Sequence, residues 1–245
     1  MVTAHPRRIP LAPGYILHHR PYRDTSRILE VLVRDHGRLT LFARGVRGPK
    51  PRFGGVLQPF VPLLLSFQLG REAGQLTGAE SAESAPSLPA GSLMAGFYLN
   101  ELLLKLTARH DPMAEVFEDY RRALLGLRAG GKVEVVLRVF EKRLLEVVGY
   151  GVDLTSEART GKDIEAEGFY RYQASQGLVP AKASDTEAVA GSSLLALARE
   201  ELGDGRQLED ARKVLKAALA ERLEGKELTT RRVARAVVLR GGSRT

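Results

Sequence analysis

The chain has 245 residues, 44% of them apolar, a formal net charge of +8 and no cysteine. Without cysteine there can be no disulfide, no thiolate nucleophile and no cysteine-ligated zinc, and no run of about 18 uncharged apolar residues offers a membrane-spanning helix. The charge excess sits in one place: residues 1–80 carry 11 Arg and one Lys against five acids, a net +7, while residues 81–245 carry only +1.

In chain order, MVTAHPRRIP at the start lacks the apolar stretch of a secretory signal, so a cytoplasmic protein is expected. GYILHHR, residues 14–20, begins a first strand, and PYRDT at 21–25 reads as a charged turn. SRILEVLVR at 26–34 is β-branched and apolar enough for a second strand, which Asp35, His36 and Gly37 turn back into a third. In that third strand Leu39, Leu41 and Ala43 share one face and Arg38, Thr40, Phe42 and Arg44 the other, because strand side chains alternate with period two. A basic loop, residues 45–55, follows with Arg47, Lys50 and Arg52, and residues 38–67 contain no acid. VLQPFVPLLLSF at 56–67 predicts a fourth strand whose Pro59 and Pro62 imply an edge or a bulge, and Gln75–Ser81 a weaker fifth.

Five short strands in about 80 residues predict an α+β protein whose first domain, residues 1–81, is a small barrel of the oligonucleotide-binding (OB) type. An SH3-like barrel fits the same pattern. In OB barrels ligands cross strands two and three and the loops at the mouth. That places Arg20, Arg23, Arg27, Arg38, Phe42, Arg44, Arg47, Lys50 and Arg52 as the candidate nucleic-acid-binding set. Guanidinium groups hold phosphates through two donors and stack on bases.

From Ala82 to Ser92 the composition shifts to Ala, Ser and Pro, a linker, after which the period becomes helical. Residues 82–245 are expected to form a mainly α-helical domain. Helices are predicted at 93–108, at 112–128 behind an Asp111–Pro112 cap, and at 133–148, packed as a three-helix bundle over 93–148. An irregular region at 152–183 includes a hairpin near Gln176 and Gly177, and further helices are predicted at 185–202, 207–223 and 227–239. The last 20 residues carry six basic groups and one acid.

Catalytic patterns are weak. GLRAGGKV at 126–133 approaches a phosphate-binding loop, but Val133 has no hydroxyl for magnesium and a helix precedes it where a strand should. His18 and His19 are adjacent on a strand and point apart, and His110 stands alone, so no metal or other cofactor is expected. Glu115, Glu118, Asp119, Glu200 and Glu201 read as surface charge. A nuclease or ligase would need a magnesium-binding acid cluster near Arg38–Arg52, and there is none. A DNA-binding, non-enzymatic protein is the leading expectation; an RNA-binding or ribosome-associated barrel protein is the alternative.

The runs LQPFVPLLLSF (57–67), YLNELLLKL (98–106), LRVFEKRLLEVVGYGVDLT (137–155) and FYRY (169–172), in that order, resemble the RecO family of bacterial recombination mediators and DNA repair proteins. The resemblance spans most of the chain. It implies an N-terminal OB barrel, a helical C-terminal domain and no turnover. It also implies binding of single- and double-stranded DNA, annealing of complementary strands, and work with RecR to load the RecA recombinase onto strands coated by single-strand-binding protein, in the cytoplasm at the nucleoid. Many members carry a four-cysteine zinc site after the third helix; this chain is similar to the zinc-free branch, so 152–183 is expected to be held by packing alone. In that branch an arginine in an L-R-x-F-E segment receives the acidic C-terminal tail of single-strand-binding protein. The resemblance puts that role on Arg138, with Phe140 beside it and Lys142 one turn on. Taken without the resemblance, Arg138 reads as a surface partner of Glu134, worth only about 0.3–0.5 kcal/mol.

Overall fold

Period-two alternation becomes a closed barrel. The structure, a computed structural model, describes residues 7–47, 49–70, 72–83, 87–203, 205–230 and 232–233. Strands β1 (Arg8–Tyr22), β2 (Ser26–Val33), β3 (Gly37–Ala43), β4 (Leu63–Gln68) and β5 (Gly74–Ser81) close in the order β1-β2-β3-β5-β4, with β3 and β5 parallel. This is the OB arrangement, and the interior is filled by Ile16, Leu29, Val31, Leu39, Leu41, Leu65, Phe67 and Leu76. β1 starts six residues earlier than expected because Arg8–Gly14 pairs with β4, while its later residues pair with β2. A register shift between Ile16 and His18 lets it bend from one partner to the other. β4 begins only at Leu63, so Pro59 and Pro62 stand outside the ladder, where a missing N–H costs nothing.

The first compact unit is Met1–Leu124 and includes, besides the barrel, α1 (Leu93–Leu106) and most of α2 (Ala114–Arg128). The sequence reading grouped these helices with the third instead. α1 docks on β1 through Asn100, 2% exposed, whose Nδ2 donates to the Leu17 carbonyl at 2.8 Å while its Oδ1 accepts from Tyr120 Oη at 2.6 Å. Tyr15 packs its ring against Phe117 and Tyr120 at 5.4 and 5.1 Å. Gly37, at φ +67, lets the β2–β3 turn touch the backbone of Asp111: a Cβ there would lie 2.0 Å from the Asp111 carbonyl oxygen. α2 starts at Ala114 rather than behind the expected Asp111–Pro112 cap, and Leu93, Met94 and Phe97 of α1 are exposed.

The second unit, Leu125–Thr245, holds α3 (Val133–Val147), strands β6 (Phe169–Gln173), β7 (Gly177–Pro180) and β8 (Val189–Ala190), and helices α4 (Gly191–Arg199) and α5 (Gly205–Arg222). β6 and β7 form the expected hairpin. The helix expected from 185 begins only at Gly191, because Val189 and Ala190 pair with β6. Asp210 of α5 then receives the Ala190 N–H at 3.1 Å and the Ser193 hydroxyl at 2.8 Å, fixing the start of α4. Residues 152–183 are held by more than packing. Asp153 accepts from the backbone N–H groups and hydroxyls of Thr155 and Ser156, and Glu221 accepts from Tyr172 Oη at 2.7 Å and from the N–H and hydroxyl of Ser175. Of the helix expected at 227–239, residues 227–228 are not helical and 229–230 and 232–233 are; residues 231 and 234–239, with most of the basic tail, lie outside the described residues.

Candidate nucleic-acid interface

The outer face of β1, β2 and β3 has two ends with different fates. Inward residues Leu29, Val31, Leu39 and Leu41 fill the barrel, so register places His18, Arg20 and Tyr22, then Ile28 and Glu30, then Arg38, Thr40 and Phe42 on the outside. At one end α1 and its following loop cover the sheet. Arg38 belongs there: Nη1 lies 3.2 Å from Glu30 Oε2, and Nη2 donates to the Thr107 carbonyl at 2.8 Å. Glu30 also accepts from Thr40 Oγ1 and from Arg109 Nη2, each at 2.8 Å. The Arg38 side chain is 13% exposed, and burial lowers its pKa although Glu30 opposes the shift. Arg38, expected among the ligand-facing cations, joins the barrel to the loop after α1.

The other end is open and cationic. Arg20, Tyr22 and Arg23 are exposed at the end of β1 and its turn, and Arg44, Arg47, Lys50 and Arg52 are exposed after β3. The turn and the loop are joined: the N–H groups of Val46 and Arg47 both donate to the Thr25 carbonyl, at 2.9 and 3.0 Å, and Arg47 Nη1 donates to the Arg23 carbonyl at 3.4 Å. The loop doubles back through the Arg52 N–H to Gly45 carbonyl bond at 2.8 Å, and Arg52 Nη2 reaches the Thr77 carbonyl of β5. Phe53, at φ 69, packs against the barrel core with the Arg52 guanidinium 4.8 Å above its ring. Phe42 is half-buried beside Tyr22, ring centroids 5.3 Å apart, and the Arg23 guanidinium lies 5.3 Å from the centre of the Tyr22 ring. Arg27, near the start of β2 and on the same side of the strand as Leu29, is half-buried; burial first and Arg27 second hold His19 below the ordinary histidine pKa. Tyr22 was absent from the sequence-derived set. Its signal was there, since it continues the alternation of His18 and Arg20.

The residues assigned to an acidic tail lie in the second unit. Arg138 is not a surface partner of Glu134: its Nη2 lies 2.9 Å from Oε1 of the fully buried Glu141, and its side chain is 9% exposed. Its Nη1 is buried with no hydrogen-bond partner among the described residues. Phe140 is core, at 2% exposure. Lys142 lies 3.1 Å from Glu200 and 3.4 Å from Glu146. Glu200, read from sequence as surface charge, is engaged by two cations that hold its carboxyl below the usual range, Arg143 contributing most.

Among the described residues no group of three His, Asp or Glu side chains gathers as a metal site, and no helix is long and apolar enough to cross a membrane. Two family models match, Recombination protein O N terminal over residues 10–85 and Recombination protein O C terminal over 91–232. The chain is 41% identical over 230 residues to the DNA repair protein RecO of Methylococcus capsulatus, covering 94% of this chain and 95% of that one. It is 42% identical to that of Nitrosococcus oceani (91% and 92% covered) and 39% identical to that of Coxiella burnetii (92% and 97% covered). With both barrel and helical segment matched in order over most of the chain, the chain belongs to the recombination protein O (RecO) family.

Proposed function

We propose that the chain is a non-catalytic DNA repair and recombination mediator. The observation that carries this reading is the open barrel end, where exposed arginines surround the paired rings of Tyr22 and Phe42. Phosphates lie against Arg20, Arg23, Arg44, Arg47, Lys50 and Arg52, and bases of a single strand rest on the rings. Duplex DNA uses the cations alone. Annealing follows because cations screen the repulsion between two strands while leaving base edges free to pair. Recruitment to coated strands uses the acidic tail of single-strand-binding protein at the solvent-reached side of α3, near Lys142, and with RecR the complex helps load RecA. Such a protein works in the cytoplasm, at the nucleoid.

The test is fluorescence anisotropy with a labelled single strand, competed by duplex DNA and by structured RNA, beside a strand-annealing time course. Preference for the single strand over RNA and faster annealing support the reading. Tighter RNA binding with no effect on annealing would replace it with an RNA-binding function.

A further inference from the structure

Within the second unit a cavity of about 340 Å³, the size of a small ligand pocket, opens between the loop after α3, the β6–β7 hairpin and the end of α5. Tyr150, Asp153, Tyr172, Leu178, Ala218 and Glu221 form its walls. Two carboxylates thus face one space, and both are held by neutral donors alone. Asp153 accepts from the N–H groups and hydroxyls of Thr155 and Ser156, and Glu221 from the Tyr172 hydroxyl and the N–H and hydroxyl of Ser175; among the described residues neither forms an ion pair. The Ser156 hydroxyl, above all, holds the Asp153 carboxyl below its ordinary range, and the Tyr172 hydroxyl does the same for Glu221. Burial and then Glu221 push the Tyr172 phenol up, so it keeps the proton it donates. In a chain of net charge +8, this cavity therefore carries uncompensated negative charge.

The rings and the hydrogen bonds decide which cation fits. Tyr150 is 47% exposed, and the Arg222 guanidinium, which is not part of the cavity wall, lies 4.3 Å from the centre of its ring. The ring already seats a guanidinium. A small divalent ion would need free carboxylate lone pairs, whereas neutral donors already make four bonds to Asp153 and three to Glu221. A guanidinium needs none of them: it is weakly hydrated and lies flat on a ring within the field of the acids. Gln176, exposed at the hairpin tip and lining the same cavity, has no side-chain hydrogen bond among the described residues, so its amide is free for a peptide group beside that cation.

We propose that this cavity binds an arginine side chain presented by another polypeptide, its guanidinium on Tyr150 between the charges of Asp153 and Glu221 and its backbone on the Gln176 amide. The site repels phosphate, so it is separate from the DNA interface and does not depend on it. Lysine fits less well, because an ammonium holds its water more tightly and cannot lie flat on a ring. Asp153 and Glu221 are exposed, so solvent screens their pull and one arginine alone binds with a Kd of about 1 mM.

The test is a titration of the full, ¹⁵N-labelled chain with the blocked tripeptide acetyl-Gly-Arg-Gly-amide, followed through the amide resonances of Gly151 and Gly177, which line the cavity. The same peptide with lysine, or with uncharged citrulline, and methylguanidine alone are the comparisons. The arginine peptide should move both resonances, the lysine peptide should bind several-fold more weakly, and citrulline should leave them in place. Glu221→Gln, which keeps a side-chain acceptor for Tyr172, and Tyr150→Leu, at an exposed ring, should each weaken the arginine peptide about fivefold, with the rest of the spectrum reporting an intact fold. Glu201→Gln, at an exposed acid outside the cavity wall, should change nothing. Unmoved resonances at about 10 mM peptide, ten times the expected Kd, would overturn the proposal, as would equal binding of the citrulline peptide or an affinity that both cavity variants leave unchanged. Methylguanidine binding as tightly as the tripeptide would overturn the assignment to a polypeptide.

Discussion

Replacing Arg20, Arg44 and Arg47 together by Gln should flatten the salt dependence of single-strand binding by about half. Six cations are exposed at the open barrel end, Arg20, Arg23, Arg44, Arg47, Lys50 and Arg52. If each meets one phosphate, counterion release gives a log-log slope of about −4, so affinity falls roughly 300-fold between about 50 and about 200 mM salt. The triple variant keeps three such contacts, for a slope of about −2 and a fall of roughly 20-fold over the same range. Arg38→Gln is the control. Its guanidinium is spent on Glu30 and the Thr107 carbonyl, so the substitution should cost stability and leave the slope unchanged. Anisotropy titrations of a labelled oligothymidine at four or five salt concentrations read both slopes. A triple-variant slope equal to wild type, or an Arg38→Gln slope as flat as the triple variant's, would refute the placement of the interface.

Tyr22→Ala should weaken single-strand binding by about 1–3 kcal/mol, the worth of one stacked base, and change duplex affinity far less; equal losses on both would show that the ring does not stack. Asn100→Ala deprives the Leu17 carbonyl and the Tyr120 hydroxyl of a buried partner at once and should cost about 2–4 kcal/mol in urea unfolding, whereas Tyr120→Phe should cost about half of that; a loss below about 1 kcal/mol for Asn100→Ala would mean that α1 is held to the barrel by packing alone. Asp153 is held at a pKa of about 2 by the Ser156 hydroxyl and then the Thr155 N–H, against an ordinary value of 3.8. Its contribution to stability is thus present above pH about 4 and is lost as pH falls toward 2, so Asp153→Asn should flatten the pH dependence of hydrogen exchange in residues 153–156 over that window. Identical profiles for variant and wild type would show that the turn does not depend on the charge.

The barrel was legible in the sequence because its strands obey a local rule. Leu39, Leu41 and Ala43 alternate with Arg38, Thr40 and Phe42, and the burial follows that alternation residue by residue. The hairpin at Gly177 was legible for the same reason. What escaped was set by partners distant in sequence. Nothing within residues 8–13 announces that β4, more than 50 residues on, will extend β1. Arg38 and Arg44 look alike in sequence, yet Arg38 meets Thr107, 69 residues away, and Arg44 is exposed. Arg138 and Arg143 sit five residues apart on one helix, and only Glu141 and Glu200 distinguish a buried pair from a solvent-reached fork.

Closure of the barrel also has a bearing on how the chain acquires its shape. β1, β2 and β3 are joined by tight turns and can assemble as soon as they are made, in microseconds for each hairpin. The first half of β1 and the far side of β3 then remain bare edges until Leu63–Gln68 and Gly74–Ser81 arrive to pair with them. During synthesis at about 5–20 residues per second, that leaves a window of seconds in which a half-sheet rich in Leu, Ile and Val is unsealed. Substitutions that slow the pairing of β4 or β5 should therefore lower the yield of intact protein well before they change what the finished protein does.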